Sequence, residues 1–186
     1  MSPTQVEIAS QCDSLFIDGT FSITPEPFFQ VLFINGKNSD NDNVFPIATA
    51  LMPNKLETSY RDVLEKIQDI CQEHGYELEF VYAHCDCEYA IINAIRVVFP
   101  CVQVRLCRFH VVDAIRRQAD GRGLRRVINS HSDFKKLYTR SRQVFFFPTE
   151  LWPQLWEHMK KQLSDETQDI EAVQDFLVYM VSSCFN

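Results

Sequence analysis

Two hydrophobic periodicities alternate along this 186-residue chain and divide it into elements. Ser14–Ile23 reads as a β-strand, broken by Pro25 and Pro27. Phe28–Asn35 (FFQVLFIN) is a second strand, apolar enough to be central, and Val44–Met52 is a third. The turn-rich linker Gly36–Asn43 joins the last two, so the three predict an antiparallel meander. Then the period lengthens. Tyr60, Val63, Leu64, Ile67, Ile70 and Cys71 follow helical spacing, predicting a helix over Thr58–His74, capped by Thr58 or Ser59 and ended by Gly75. Leu78–Cys85 reads as a strand, Glu88–Val98 as a helix, Val102–Cys107 as a short strand, and a further helix starts near Phe109.

The order β-β-β-α-β-α-β-α predicts an α/β protein with a mixed sheet covered by helices. It is the element order of the ribonuclease H-like fold. Beyond it lie the Gly121-Arg122-Gly123 break, a polar, basic stretch over Ser130–Arg142, a short apolar element at Phe145–Pro148, and helical patterns over Leu151–Leu163 and Asp169–Ser182. The expected organisation is an N-terminal extension (1–13), a core (14–119) and a helical segment (120–186).

Within the first strand, Leu15-Phe16-Ile17-Asp18-Gly19-Thr20-Phe21 sets one carboxylate in an apolar run. A buried or half-buried Asp is costly unless paired or bound to a cation, so Asp18 is a candidate metal ligand. Asp86, at the end of the fourth strand, is a second. Two carboxylates side by side repel, and a divalent ion that takes one or two carboxylates plus water and phosphate oxygens resolves that repulsion. Ordinary roles compete with this reading: Asp18 as a turn residue before glycine, and Asp86 as the N-cap of the next helix.

Composition changes the picture modestly. Hydrophobic residues make up 46% of the chain and charged residues 23%, which suits a packed globular protein. No apolar run approaches a membrane span, and the first residues lack a signal-peptide pattern, so a soluble intracellular protein with no membrane partner is expected. The seven Cys have no disulfide framework, and Cys12, Cys71, Cys101 and Cys184 are expected as buried thiols. Net charge is −7, yet Arg105–Arg142 holds eleven Lys/Arg against three Asp. That polarity is compatible with a nucleic-acid-facing surface and equally with a solvated helical face.

Five ordered motifs then point to one family. Asp18-Gly19-Thr20-Phe21, Asn54-Lys55 with Tyr60, Asp86-Cys87-Glu88, Asn93-Ala94-Ile95 with Phe99-Pro100, and Cys107-Arg108-Phe109-His110 resemble the Mutator-like element (MULE) transposase domain. The resemblance implies a DDE-type DNA transposase core with Mg²⁺ or Mn²⁺ as cofactor, DNA as partner and a nuclear location. Asp18 and Asp86 would be the first two metal ligands and catalytic residues, with Glu88, Cys107 and His110 in support. Cys107 and His110 also have the spacing of half a zinc site, but the irregular spacing of the neighbouring Cys and His residues speaks against a full one, and zinc is not expected. The family's third carboxylate follows a helical insertion and a segment similar to Phe176-Leu177-Val178-Tyr179-Met180. The chain stops soon after, at Asn186, so a fragment or truncated copy lacking that residue, inactive alone, is expected. Glu171 is the best placed substitute, although a surface role suits it better. Arg116, Arg117, Arg122, Arg125 and Arg126 are candidate contacts to the DNA backbone. The rival expectation is a non-catalytic DNA-binding or protein-interaction module on the same scaffold. The sequence admits a homo-oligomer without setting the oligomeric state.

Overall fold

The computed structural model describes residues 1–40 and 43–184, the last two without their side chains. Asn41 and Asp42 of the turn-rich linker, and the Cys184 thiol, lie outside the described residues. The chain forms two compact units, Met1–Cys107 and Arg108–Asn186. The expected boundary after residue 119 thus differs from the observed division by most of one helix.

The first unit contains α1 (Pro3–Ser10), β1 (Ser14–Thr20), β2 (Gln30–Lys37), β3 (Val44–Met52), α2 (Glu57–Glu73), β4 (Tyr82–Cys85), α3 (Tyr89–Val98) and β5 (Gln103–Leu106). The strands make one five-stranded mixed sheet in the order β3-β2-β1-β4-β5. The first three strands pair antiparallel, whereas β4 runs parallel to β1 and β5 parallel to β4. Alternation puts Leu15 and Ile17 of β1, Leu32 and Ile34 of β2, and Ala83 and Cys85 of β4 in the core. Tyr60, Leu64, Ile67 and Cys71 bury one stripe of α2, and Ile91, Ala94 and Ile95 bury one stripe of α3, in that same core.

Several sequence expectations shift for identifiable reasons. The first thirteen residues are not a mere extension: α1 begins with a capping box between Ser2 and Gln5, with Pro3 in its first turn, and buries Val6 and Ala9 in the sheet's core. β1 ends at Thr20 because Thr24 draws the chain into a turn, its hydroxyl donating to the Thr20 carbonyl at 2.9 Å and accepting from Val31 N–H at 3.1 Å. Neither Thr58 nor Ser59 caps α2. Leu56 is the N-cap and has no side-chain cap bond; just before it, Asn54 Oδ1 accepts from Leu56 N–H at 2.9 Å and from the Ser59 hydroxyl at 2.8 Å. Cys12 and Cys71 are buried as expected, but Cys101 is exposed in the turn after Pro100.

The second unit is helical: α4 (Arg108–Gly121), α5 (Arg125–Ser130), α6 (Ser132–Ser141), α7 (Trp152–Lys160), α8 (Asp165–Gln168) and α9 (Glu171–Cys184), with short 3₁₀ turns at Val144–Phe146 and Thr149–Leu151. The break at Gly121–Gly123 has a physical basis. Gly123 takes φ +70°, its N–H donates to the Asp120 carbonyl, and Leu124 N–H reaches back to Ala119. That is a Schellman ending, which favours glycine. Phe134, Trp156 and Phe176 lie in this unit's own core.

Asp133 ties α6 to the start of α8. Its Oδ1 accepts from Phe134 N–H at 2.8 Å, and its Oδ2 accepts from the Ser164 N–H and hydroxyl, both at 2.9 Å. Burial works to raise its pKa, but these donors and the Thr167 hydroxyl outweigh it and hold the carboxyl well below the usual range. A depressed folded pKa means that the stabilisation is present above the unfolded value near ~3.9 and is lost as pH falls below it. Asp133→Ala is expected to cost about 1–3 kcal/mol at pH 7, with a smaller difference from wild type at pH 3. Chemical denaturation at the two pH values checks this.

Candidate metal and DNA site

Asp18 lies on β1, and Asp86 follows β4, the parallel neighbour of β1. β1 and β4 are paired Ser14↔Tyr82, Leu15↔Ala83 and Phe16↔His84. Asp18 lies two residues beyond Phe16, and Asp86 two beyond His84, just past the end of β4 and of that ladder. Asp18 is not a turn residue: it lies within β1 opposite Phe33 of β2, and Gly19 is opposite Leu32. Nor is Asp18 buried. The β1–β4 ladder stops at Phe16↔His84, which leaves that flank open, and Asp18 is exposed while Asp86 is half-buried. Asp86 is not the N-cap of α3, a position held by Glu88. Instead its Oδ1 accepts from the Glu88 N–H at 3.3 Å.

Glu88 is anchored at both oxygens. Lys55 Nζ donates to Oε2 at 2.6 Å, and the Tyr60 hydroxyl donates to Oε1 at 3.3 Å. Gln30, buried on the core face of β2, in turn donates its amide to the Tyr60 oxygen at 2.8 Å. Gly19 makes room for that amide, since a Cβ there would stand 2.6 Å from Gln30 Oε1. Lys55 Nζ also lies 4.8 Å from the centre of the Phe21 ring. One connected chain of contacts thereby links the DGTF, NK…Y and DxE motifs. Burial, with Glu88 and Asp86 nearby, raises the Tyr60 pKa despite the opposing Gln30 bond, so the hydroxyl keeps its proton and can donate to Glu88. Sequence reasoning gave Gln30 no role. Its signal was a polar residue at a core-facing position of an otherwise apolar strand.

The other expected residues take separate places. Cys85 is buried, and burial, then Asp86, push its thiol up to about 12. The half-buried Cys107 donates its N–H to the Cys85 carbonyl at 2.6 Å, closing the first unit. His110 stands in the first turn of α4. Glu171 is exposed in the first turn of α9. Among the described residues, no group of three or more His, Cys, Asp or Glu side chains is arranged to hold a metal ion. Of the basic candidates, Arg116 pairs with Asp113 at 2.7 Å and with Asp120 at 3.2 Å, and Arg117 pairs with Asp113. Arg122 donates to the Gln118 carbonyl and lies over the Tyr179 ring. Arg125 and Arg126 are exposed in the first turn of α5, as are Lys135 and Lys136 on α6.

The family model of the MULE transposase domain matches residues 14–114, more than half of the chain. The chain belongs to the MULE transposase family. The match begins at the first residue of β1 and ends within α4, so it takes in the whole sheet and every residue of the Gln30–Tyr60–Glu88–Lys55 chain. Membership makes this a transposase-derived protein. Comparison with curated proteins gave no match. Among the described residues, no helix is long and apolar enough to cross a membrane.

Proposed function

We propose that this MULE domain is a ribonuclease H-like transposase core in which Asp18 and Asp86 bind Mg²⁺ or Mn²⁺ and engage the DNA backbone. The observation that carries the reading is the parallel pairing of β1 with β4 inside the matched segment, from whose last pair, Phe16↔His84, Asp18 and Asp86 each stand two residues on. The sheet order supports the fold, with three antiparallel strands followed by two parallel ones. The donor set fits the ion: one exposed and one half-buried carboxylate suit a cation that keeps water and phosphate oxygens in its shell. When bound, such an ion lowers the cost of generating an oxygen nucleophile and stabilises the oxygen that leaves phosphorus. Asp18 and Asp86 would hold it, the Glu88 N–H would orient Asp86, and the exposed Arg125, Arg126, Lys135 and Lys136 would meet DNA phosphates. Arg116 and Arg117 are less suited, because Asp113 and Asp120 already balance them on the same helix. A nuclear location follows from this activity.

In this reading Asp18 and Asp86 bind metal and DNA, and the 186 residues do not cleave DNA alone, because the pair would hold the ion without the third carboxylate that the family resemblance implies for cleavage. Incubated with supercoiled plasmid and Mg²⁺ or Mn²⁺, the chain is expected to produce no nicking above background. Robust metal-dependent nicking that Asp18→Asn removes would overturn that part. DNA affinity unchanged in Asp18→Ala and Asp86→Ala, together with no metal binding, would favour a non-catalytic binding module.

A further inference from the structure

We propose that Glu88 is a positioning residue rather than a metal ligand: Lys55, Tyr60 and Gln30 lock it so that its backbone N–H fixes Asp86. The inference rests on the metal-site reading above and adds to it the residues that hold the site's geometry.

Glu88 has both carboxylate oxygens engaged within the protein, by the Lys55 ammonium and by the Tyr60 hydroxyl. A cation bound through either oxygen would share it with one of these donors, and the Lys55 ammonium on Oε2 would repel the ion. The Lys55 bond is charge-assisted and short, and it is only partly exposed, with the Lys55 and Glu88 side chains 33% and 23% accessible. With its side chain pinned, residue 88 has little freedom to rotate. It is also the N-cap of α3, so its N–H belongs to the unsatisfied first turn of that helix and is aimed out of it. That N–H meets Asp86 Oδ1 at 3.3 Å. The other Asp86 oxygen then has a set direction relative to β1, where Asp18 stands.

The lock reaches back into the core. Tyr60 is 3% exposed and Gln30 1% exposed, so their mutual bond is shielded from water, and its loss would leave a buried amide without its partner. Gly19 belongs to the same device. It directly follows Asp18, and only its missing side chain lets the Gln30 amide lie against β1. The carboxylate strand and the positioning chain are thus in contact at the residue next to the proposed ligand.

The test uses two variants that leave both carboxylates and Glu88 in place. Tyr60→Phe keeps the ring and removes the donor to Glu88. Gln30→Met keeps the volume and removes the bond to Tyr60 at a distance from the carboxylates. Outer-shell partners of metal ligands typically change metal affinity about 10–100-fold. Tyr60→Phe is therefore expected to weaken Mn²⁺ binding by about tenfold in calorimetric titration, with Gln30→Met smaller and in the same direction. A metal-independent readout accompanies it: hydrogen exchange of the Glu88 amide, expected to speed up in both variants while amides in the middle of β1 and β2 stay protected. Unchanged Mn²⁺ affinity and unchanged Glu88 exchange in two folded variants would overturn the proposal. Faster Glu88 exchange in a protein whose wild type binds no Mn²⁺ would leave the positioning chain standing and refute the metal-site reading. A Glu88→Gln variant that lost Mn²⁺ binding as completely as Asp18→Asn would make Glu88 a ligand and refute the positioning role.

Discussion

Asp18→Asn and Asp86→Asn are each expected to reduce Mn²⁺ affinity by about a thousandfold while leaving the fold intact. Each removes one full negative charge beside the cation. At ~4 Å from a divalent ion, and with an effective dielectric of ~40, between that of surface pairs and that of water, the charge is worth roughly 4 kcal/mol, and each 1.4 kcal/mol is about tenfold in affinity. The fold should tolerate both changes, because Asp18 is exposed and Asp86 half-buried, outside the hydrophobic core. In Asp86→Asn, the new amide oxygen can still accept from the Glu88 N–H. Calorimetry with Mn²⁺, with circular dichroism on the same samples, separates lost affinity from lost structure. If only one of the two substitutions acted, the two carboxylates would not share an ion.

The largest effect on stability is expected from Phe176→Ala. Phe176 is fully buried and makes an edge-on contact with Phe134 at 5.9 Å, with Tyr138 and Tyr179 at 6.3 and 6.4 Å. Truncating such a ring removes its burial and leaves a cavity, a loss of ~3–5 kcal/mol. Urea denaturation should show the loss, and hydrogen exchange should place it in α6 and α9. Phe176→Leu keeps much of the volume and should cost about 1.5 kcal/mol or less.

Most of the sheet was legible because its strands bury one face, and burying one face demands alternation. β3 has the bounds that alternation predicts, Val44–Met52, and α2 differs by one residue at each end. What was not legible lay outside any periodic pattern. α1 offers only Val6 and Ala9 as buried residues in eight, too few to show a period, and is fixed by packing rather than pattern. The N-cap of α2 is Leu56, an apolar residue without a side-chain cap bond, where Thr58 and Ser59 were the better sequence candidates.

The candidate site divides along the same line. The motifs name Asp18, Asp86 and Glu88, and the apolar run around Asp18 suggests burial. Alternation with the buried Leu15 and Ile17 turns Asp18 to the opposite face, and the β1–β4 ladder stops short of it, so it is exposed. The service that Gln30 and Tyr60 give to Glu88 spans separations of 30 and 28 residues, so no local spacing announces it. The basic run shows the opposite error. Counting charge from Arg105 to Arg142 treats every arginine alike, whereas helical spacing pairs Arg116 and Arg117 with Asp113 and leaves Arg125 and Arg126 exposed at the start of α5.

Paramagnetic broadening by Mn²⁺, followed residue by residue in amide NMR spectra, tests the metal pair most directly. Substoichiometric Mn²⁺ is expected to erase the signals of Asp18, Gly19, Asp86, Cys87 and Glu88 first, and to spare them in Asp18→Asn. Broadening centred elsewhere, or the same pattern persisting in Asp18→Asn, would contradict a metal site built on Asp18 and Asp86.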